Sequence, residues 1–221
     1  MPLQILEKTP QHLVAIWQIT ETTSFFEDQL PKEDKEYVNS KYSVASSNEK
    51  LQQRQIEKKL ERLAVRLSVK TLVKKLHLDY TFLDKTPTGK PFLSENTNLN
   101  LSISHDFPYC AAIIDIEKEV GIDIQSQVSK ISRVFPRVMS EREQKNAQNL
   151  ATQTLFWSAK EALYKYADIE GLFFKEDLNV KFDSKNQLLG RIKSNILPTQ
   201  WLPLSYHNFS NPNNDFVVVW L

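Results

Sequence analysis

The fold of this chain is decided by GIDIQ at residues 121–125 and by WSAKEALYK at residues 157–165. The first stretch is short and rich in isoleucine, which predicts a β-strand. Successive side chains of a strand point to opposite faces, so Asp123 and Gln125 share one face while the isoleucines face the core. Aspartate disfavours strands, so a carboxylate and an amide on one strand face indicate a function.

The second stretch predicts a helix with a carboxylate set among lysines. Trp157, Glu161 and Lys165 are spaced four residues apart on one face, with Lys160 and Tyr164 beside them. Lysine ammonium groups are common ligands of phosphate oxygens. Taken singly, these residues also fit a helix salt bridge or a turn. Their combination predicts a site for a divalent metal and a phosphate-bearing substrate.

The predicted metal ligands are the oxygen-bearing side chains of both stretches. Mg²⁺ takes oxygen ligands in octahedral geometry, usually one or two carboxylates together with substrate phosphates. Asp123, Gln125 and Glu161 can supply that set, and Mn²⁺ accepts the same oxygens. Glu161 can also take the proton from an attacking hydroxyl, directly or through a metal-bound water. Positioning and charge neutralisation of this kind are what phosphoryl transfer mainly requires.

Further groups able to meet a phosphate lie upstream. Ser104 and His105 follow a predicted strand, where a hydroxyl and an imidazole can face one phosphate. Lys90 is at the tip of the turn TPTGKP, where it is either solvated or presented to an anion. A long helix is predicted from about residue 48 to 78, with Asn48 as N-cap. Its polar face is basic, and we expect most of that face to be solvated and one or two cations to face a phosphate.

The remaining periodic segments predict a mixture of helices and strands. Strands are predicted at residues 13–17, 98–103, 110–116, 120–124, 178–182, 188–192 and 216–221. Helices are predicted at residues 22–30 and 130–167, the latter with a capping box from Ser140 to Glu143. A hairpin loop is predicted at residues 117–119, and loops over residues 198–214.

The bulk composition limits the possible partners. With a formal charge of +1 at 221 residues, no general polyanion surface and no nucleic-acid partner are expected. The single cysteine, Cys110, cannot form an intramolecular disulfide and fits a reducing compartment. We see no signal-peptide pattern and no apolar stretch near the ~20 residues of a membrane helix, so we expect a cytoplasmic protein with no membrane partner.

Together these residues resemble the 4′-phosphopantetheinyl transferase superfamily, in its longer single-chain form. The matching elements are Gly89-Lys90-Pro91, Ser104-His105, Gly121 to Ile124, Trp157 to Lys165, and Gly171-Leu172. The resemblance implies magnesium-dependent transfer of the phosphopantetheine arm of coenzyme A (CoA) to a serine of an apo acyl or peptidyl carrier protein, releasing adenosine 3′,5′-bisphosphate. It also implies an α+β fold of two similar halves, about 1–108 and 109–221, each with a small antiparallel sheet and a long helix. CoA and the metal would lie in a cleft between the halves, so a monomer would suffice.

The resemblance also implies a role for each matching residue. Asp123 and Glu161 would bind the metal, and Glu161 would help to deprotonate the carrier serine. The expected contacts to CoA phosphates are Lys160, Lys165 and His105, assisted by Ser104 and Lys90. The expected contact to the nucleotide end is Arg62 or Arg66.

Gln125 departs from the family pattern, which often has glutamate at this position. An amide oxygen can still bind Mg²⁺, but the site loses one negative charge. One alternative to an active transferase therefore stays open, a CoA- or carrier-binding protein that no longer transfers. With the resemblance set aside, another magnesium-dependent phosphotransferase or phosphohydrolase also stays open. The four glycines do not form a P-loop, so a kinase built on such a loop is not expected.

Overall fold

The helices and strands alternate in small groups along the chain. We describe a computed structural model that covers residues 3–42, 48–95, 98–197 and 199–221. Its strands are β1 (Leu3–Lys8), β2 (His12–Gln18), β3 (Leu83–Lys85), β4 (Pro91–Leu93), β5 (Asn100–Asp106), β6 (Tyr109–Asp115), β7 (Ile122–Ser126), β8 (Leu178–Phe182), β9 (Leu188–Ile192), β10 (Leu202–Pro203), β11 (Ser205–Ser210) and β12 (Asp215–Trp220). Its helices are α1 (Thr23–Gln29), α2 (Lys32–Lys41), α3 (Glu49–Lys75), α4 (Ser129–Val138), α5 (Glu141–Asn146) and α6 (Leu150–Ala167).

The first compact unit, Met1–Glu119, is built on the antiparallel sheet β1-β2-β6-β5. Every residue of β6 is buried, as expected for a central strand formed by a continuous apolar run. The helix α3 packs on β2, β5 and β6 and contributes much of the apolar core of this unit. Asn48 caps α3, because its side chain accepts hydrogen bonds from the backbone of Lys50 and Leu51, which confirms the predicted start of the helix.

The second compact unit, Val120–Leu221, contains the sheets β11-β12-β7 and β10-β9-β8. The helix α6 contacts β7, β8, β9 and β12, so one helix covers both sheets. Its apolar residues Phe156, Ala159 and Leu163 are fully buried in the core. The predicted capping box is confirmed, with Ser140 and Glu143 bonded to each other's backbone N–H groups.

Several features of the fold differ from the sequence predictions, and the predicted helix over residues 130–167 is divided into α4, α5 and α6. The boundary between the compact units falls after Glu119 rather than after residue 108, because β6 pairs with β2 and β5. The predicted hairpin at residues 117–119 is wrong, since β6 and β7 belong to different sheets. The prediction of loops throughout residues 198–214 is also wrong in part, because Ser205–Ser210 pairs with β12 along its whole length; residue 198 lies outside the described residues.

The fold class predicted from the sequence is confirmed. Helices combine with small antiparallel sheets, which is an α+β fold. The similarity of the two halves and a cleft between them stay predictions. Within the described residues, no helix has the length and apolar character needed to cross a membrane.

Candidate functional site

The strand β7 and the helix α6 approach each other closely at Gly121. A Cβ atom on this glycine would lie 2.1 Å from Ala162 O and 2.9 Å from the Cβ and N atoms of Tyr166. Gly121 is also fixed from the other side, because its N–H and C=O bond to Leu221 at 3.1 Å. The chain therefore needs glycine here, since only a residue without a Cβ lets the backbone of α6 come so near.

Two side chains of α6 tie this helix to β7 on either side of Glu161. The Ser158 hydroxyl donates to the backbone oxygen of Asp123 at 3.2 Å. The Lys165 ammonium donates to Ile122 O at 2.9 Å and to Asp123 Oδ1 at 2.8 Å. Ser158 and Lys165 are two helical turns apart and Glu161 lies between them, so all three share one helix face.

Glu161, on this helix face, has a strongly shifted pKa. Burial raises the pKa of Glu161 to about 7, the nearby Asp123 carboxylate adds to the rise, and Lys165 opposes it. A carboxyl group with this pKa can lose its proton at neutral pH and can also accept one from a hydroxyl. The predicted pairing of Asp123 with Glu161 and Lys165 is therefore present in one cluster.

The donor set of this cluster suits a hard divalent cation. Asp123 and Glu161 offer two carboxylates whose mutual repulsion a cation would relieve. Gln125 lies two residues from Asp123 on β7 and is half-buried. Within the described residues, no three His, Cys, Asp or Glu side chains gather as a metal-binding group. Two carboxylates and an amide fit Mg²⁺, which fills its remaining positions with water or phosphate oxygens.

Lys160, which the family resemblance assigns to a CoA phosphate, points elsewhere. Its side chain is fully buried, and its ammonium donates to Glu143 Oε2 at 2.9 Å, Val138 O at 2.9 Å and Phe174 O at 2.7 Å. Burial lowers the pKa of Lys160, and the Glu143 carboxylate opposes that effect. Three acceptors match the three ammonium protons, so Lys160 anchors α6 and has none to offer a phosphate.

The second unit is similar to known proteins. Residues 119–218 match the family model of the 4′-phosphopantetheinyl transferase superfamily. The chain is also 25% identical over 120 residues to the L-aminoadipate-semialdehyde dehydrogenase-phosphopantetheinyl transferase of Xenopus laevis. The alignment covers 48% of this chain and 39% of the relative, so the chain spans well under half of that protein.

The segment that matches the family model contains Asp123, Gln125, Lys160, Glu161 and Lys165, whereas the other predicted contacts belong to the first unit. There His105 Nδ1 lies 3.1 Å from Glu61 Oε2, and the other oxygen of Glu61 accepts from Phe107 N at 2.9 Å. Ser104 precedes His105 and is buried. Lys90 lies 2.5 Å from the carboxylate of Glu119. Each of these groups already has a protein partner that a ligand would replace or share.

Arg62 and Arg66 line one small pocket of the first unit. The cavity measures about 110 Å³ and is also lined by Lys41, Lys85 and the ring of Tyr37. Such a volume accepts one small group, and four cations around it favour an anion. Neither Lys41 nor Lys85 lies in a motif, so sequence analysis does not identify them as lining this pocket.

Arg66 is held in this pocket by buried partners. Its Nε donates to Asp34 Oδ1 at 2.8 Å, and its guanidinium lies 4.6 Å from the ring centroid of Tyr37. The Tyr80 hydroxyl donates to the other oxygen of Asp34 at 2.6 Å. Arg62 is less constrained, with Nε donating to the Tyr42 hydroxyl at 3.2 Å. Arg62 is therefore the freer of the two arginines to turn toward a ligand.

Proposed function

We propose that this chain transfers the 4′-phosphopantetheine group of CoA to a serine hydroxyl of an apo acyl or peptidyl carrier protein. The other product is adenosine 3′,5′-bisphosphate. The observation that carries the proposal is the cluster of Glu161, Asp123 and Lys165, in which Glu161 has a pKa of about 7. Further support comes from the family match of this segment and from a relative whose name is that of a phosphopantetheinyl transferase.

The proposed reaction uses Glu161 as the proton acceptor. The serine oxygen attacks the phosphorus that bears pantetheine, a new P–O bond forms, and the bond from that phosphorus to the bridging oxygen breaks. The bridging oxygen leaves with the nucleotide, and the serine proton passes to the Glu161 carboxylate. In the metal-free chain the pKa of Glu161 is about 7, so its carboxyl group is ionised in a large fraction of molecules at neutral pH and is basic enough to accept this proton.

Lys165 and the metal ligands would balance the charge of the pyrophosphate. The Lys165 ammonium, now bonded to Asp123, can donate to a phosphate oxygen while it stays beside that carboxylate. Asp123, Glu161 and Gln125 are the proposed ligands of the metal. A bound Mg²⁺, or Mn²⁺ in its place, would neutralise charge on the transferring phosphoryl group.

Residues of the first unit are the proposed contacts to the rest of CoA. His105 is held by Glu61 and, with Ser104 and Lys90, is assigned to the phosphates. Arg62 is assigned to the nucleotide end, because it lines a pocket with three other cations. Arg66 contributes its charge to that pocket from a fixed position. Lys160 is left out of the phosphate contacts because of its burial.

A second candidate function is binding of CoA or carrier without transfer. Gln125 favours it, because a family glutamate is replaced by a neutral amide and the metal site loses charge. Against it, both carboxylates and the lysine of the cluster are retained. The two candidates differ in turnover, which only the transferase shows.

The test is intact mass spectrometry of several apo carrier proteins incubated with this protein, CoA and Mg²⁺. We expect a mass gain of one phosphopantetheinyl group, lost with a chelator and in the Asp123→Ala and Glu161→Ala variants. An exposed lysine, changed in Lys185→Gln, is the matched control and should leave the gain intact. If no carrier gains mass while calorimetry still detects CoA binding, the non-catalytic alternative is favoured.

A further inference from the structure

The sheet β10-β9-β8 presents two cations on a single indole ring. Lys181 Nζ lies 4.0 Å and Arg191 Cζ lies 4.7 Å from the ring centroid of Trp201. Lys181 belongs to β8, Arg191 belongs to β9, and Trp201 directly precedes β10. We call these three residues the cation–Trp patch. Both distances lie within the range of favourable cation–π contacts.

This patch faces away from the helix that carries Glu161. A Cβ on Gly190 would meet the Leu163 side chain of α6 at 2.7 Å, so Gly190 points toward that helix. Neighbouring residues of a strand point to opposite faces, which places Arg191 on the outer face. On β8, Lys181 is half-buried and follows the buried Val180, so Lys181 also lies on the outer face. The patch therefore lies on the sheet face opposite to α6, and a folded protein that buries about 800 Å² is large enough to contact a surface outside the catalytic cluster.

The patch carries two positive charges. Across the described residues, neither Lys181 nor Arg191 takes part in a salt bridge. Arg191 donates from Nη2 to Asn179 Oδ1 at 2.9 Å, while its buried Nε lacks a hydrogen-bond partner in the part of the chain that the structure describes. The exposed Lys193 follows β9 directly and adds a third positive charge.

An acidic partner fits these observations better than an apolar one. The Trp201 ring holds both cations in place, so less side-chain entropy is lost when a carboxylate pairs with them. Tryptophan and arginine are also the residue types enriched where binding energy concentrates. We propose that the cation–Trp patch is the docking surface for an acidic segment of the protein substrate. This inference rests on the proposed function, which supplies a protein as substrate.

The experiment compares the KM for an acidic apo carrier protein with the KM for CoA. In the double variant Lys181→Gln/Arg191→Gln, glutamine at position 191 keeps an amide donor for Asn179. Removing two charges that pair with the carrier should raise its KM about tenfold and weaken the dependence of that KM on salt. The KM for CoA should stay within about twofold, because the patch lies on the sheet face opposite to the helix that carries Glu161. The control is Lys185→Gln, an exposed lysine between β8 and β9.

The outcomes separate this inference from the proposed function. If carrier loading proceeds and the double variant has the same carrier KM as Lys185→Gln, the docking surface is refuted and the transferase stands. A rise in the KM for CoA instead would also overturn it, since the patch would then serve the nucleotide. If the double variant does not fold, Lys181→Gln alone is used and should give a smaller rise in carrier KM.

A binding measurement covers the case in which the wild-type protein loads no carrier. Calorimetry then follows binding of the same acidic carrier, and of a form with its Asp and Glu changed to Asn and Gln, to the wild-type protein. Tighter binding of the acidic form, lost in Lys181→Gln/Arg191→Gln, supports the docking surface even without transfer. Equal binding of both forms, or no binding, contradicts it.

Discussion

Replacing Gly121 by alanine tests how the site is built. The new Cβ would lie 2.1 Å from Ala162 O, whereas ordinary contact begins at 3.4 Å. The backbone of α6 must therefore retreat by about 1.3 Å, because Gly121 is fixed by its hydrogen bonds to Leu221. Since the obstacle is backbone, we expect the upper end of overpacking costs, about 3 kcal/mol. For a unit of this size that lowers Tm by roughly 10–20 °C.

The same shift should reduce activity in the folded protein. Glu161 and Lys165 would move with α6 while Asp123 stays on β7, and a displacement of about 1 Å at a reacting group costs about 100-fold in rate. Thermal unfolding and carrier loading measure the two effects separately.

The matched control is Gly190→Ala, whose Cβ meets the Leu163 methyl groups at 2.7 and 2.8 Å and thus a side chain that can rotate. Gly190→Ala should lower the free energy of unfolding by about 1 kcal/mol and leave carrier loading nearly unchanged. A Gly121→Ala protein with wild-type Tm and loading rate would show that α6 does not depend on glycine at this position.

Three further predictions concern charged groups of the second unit. Because the pKa of Glu161 is raised from 4.5 to about 7, the folded chain binds more protons than the unfolded chain in this window, so without divalent cations its stability falls as pH rises from 4.5 to 7. In chelator, Tm should fall less between pH 4.5 and 7 in Glu161→Gln than in the wild-type protein. An equal fall in both proteins would count against the raised pKa of Glu161. Lys160→Met should lower the free energy of unfolding by about 3–5 kcal/mol in chemical denaturation yet leave the KM for CoA unchanged. Lys165→Met, in contrast, should raise that KM. A raised KM for CoA in Lys160→Met would indicate that Lys160 contacts a phosphate after all. Gln125→Glu should tighten the apparent Mg²⁺ affinity about tenfold without abolishing activity, and an unchanged Mg²⁺ dependence of the rate would exclude Gln125 as a ligand.

Local sequence patterns were sufficient to predict the strand and the helix that carry Asp123, Glu161 and Lys165. Isoleucine alternation predicted the strand that is observed as β7, and helical spacing predicted the part of α6 that bears Glu161. The N-cap Asn48 and the capping box at Ser140 were also predictable, because their partners lie within three residues.

Long-range pairing was not predictable in the same way. The loop at residues 117–119 has the composition of a hairpin turn, but β7 pairs with β12, whose residues Phe216 to Trp220 lie some 90 positions later. The exposed sequence of β11 resembles loops because an edge strand needs few apolar residues.

The role of Lys160 depended on a distant partner as well. It is adjacent to Glu161, but neighbours on a helix point about 100° apart. Lys160 therefore faces Glu143 of α5, while Glu161 faces the region of Asp123. The motif contains both residues and does not reveal that one is structural.

The most direct test of the central claim is to quantify both products of one reaction by liquid chromatography and mass spectrometry. A preferred apo carrier is incubated with this protein, CoA and Mg²⁺, with Glu161→Gln as the matched inactive variant. We expect equal amounts of phosphopantetheinylated carrier and adenosine 3′,5′-bisphosphate, neither of which forms with Glu161→Gln. Release of the nucleotide without carrier, or an equal yield from Glu161→Gln, would contradict the claim that this cluster performs transfer to a serine.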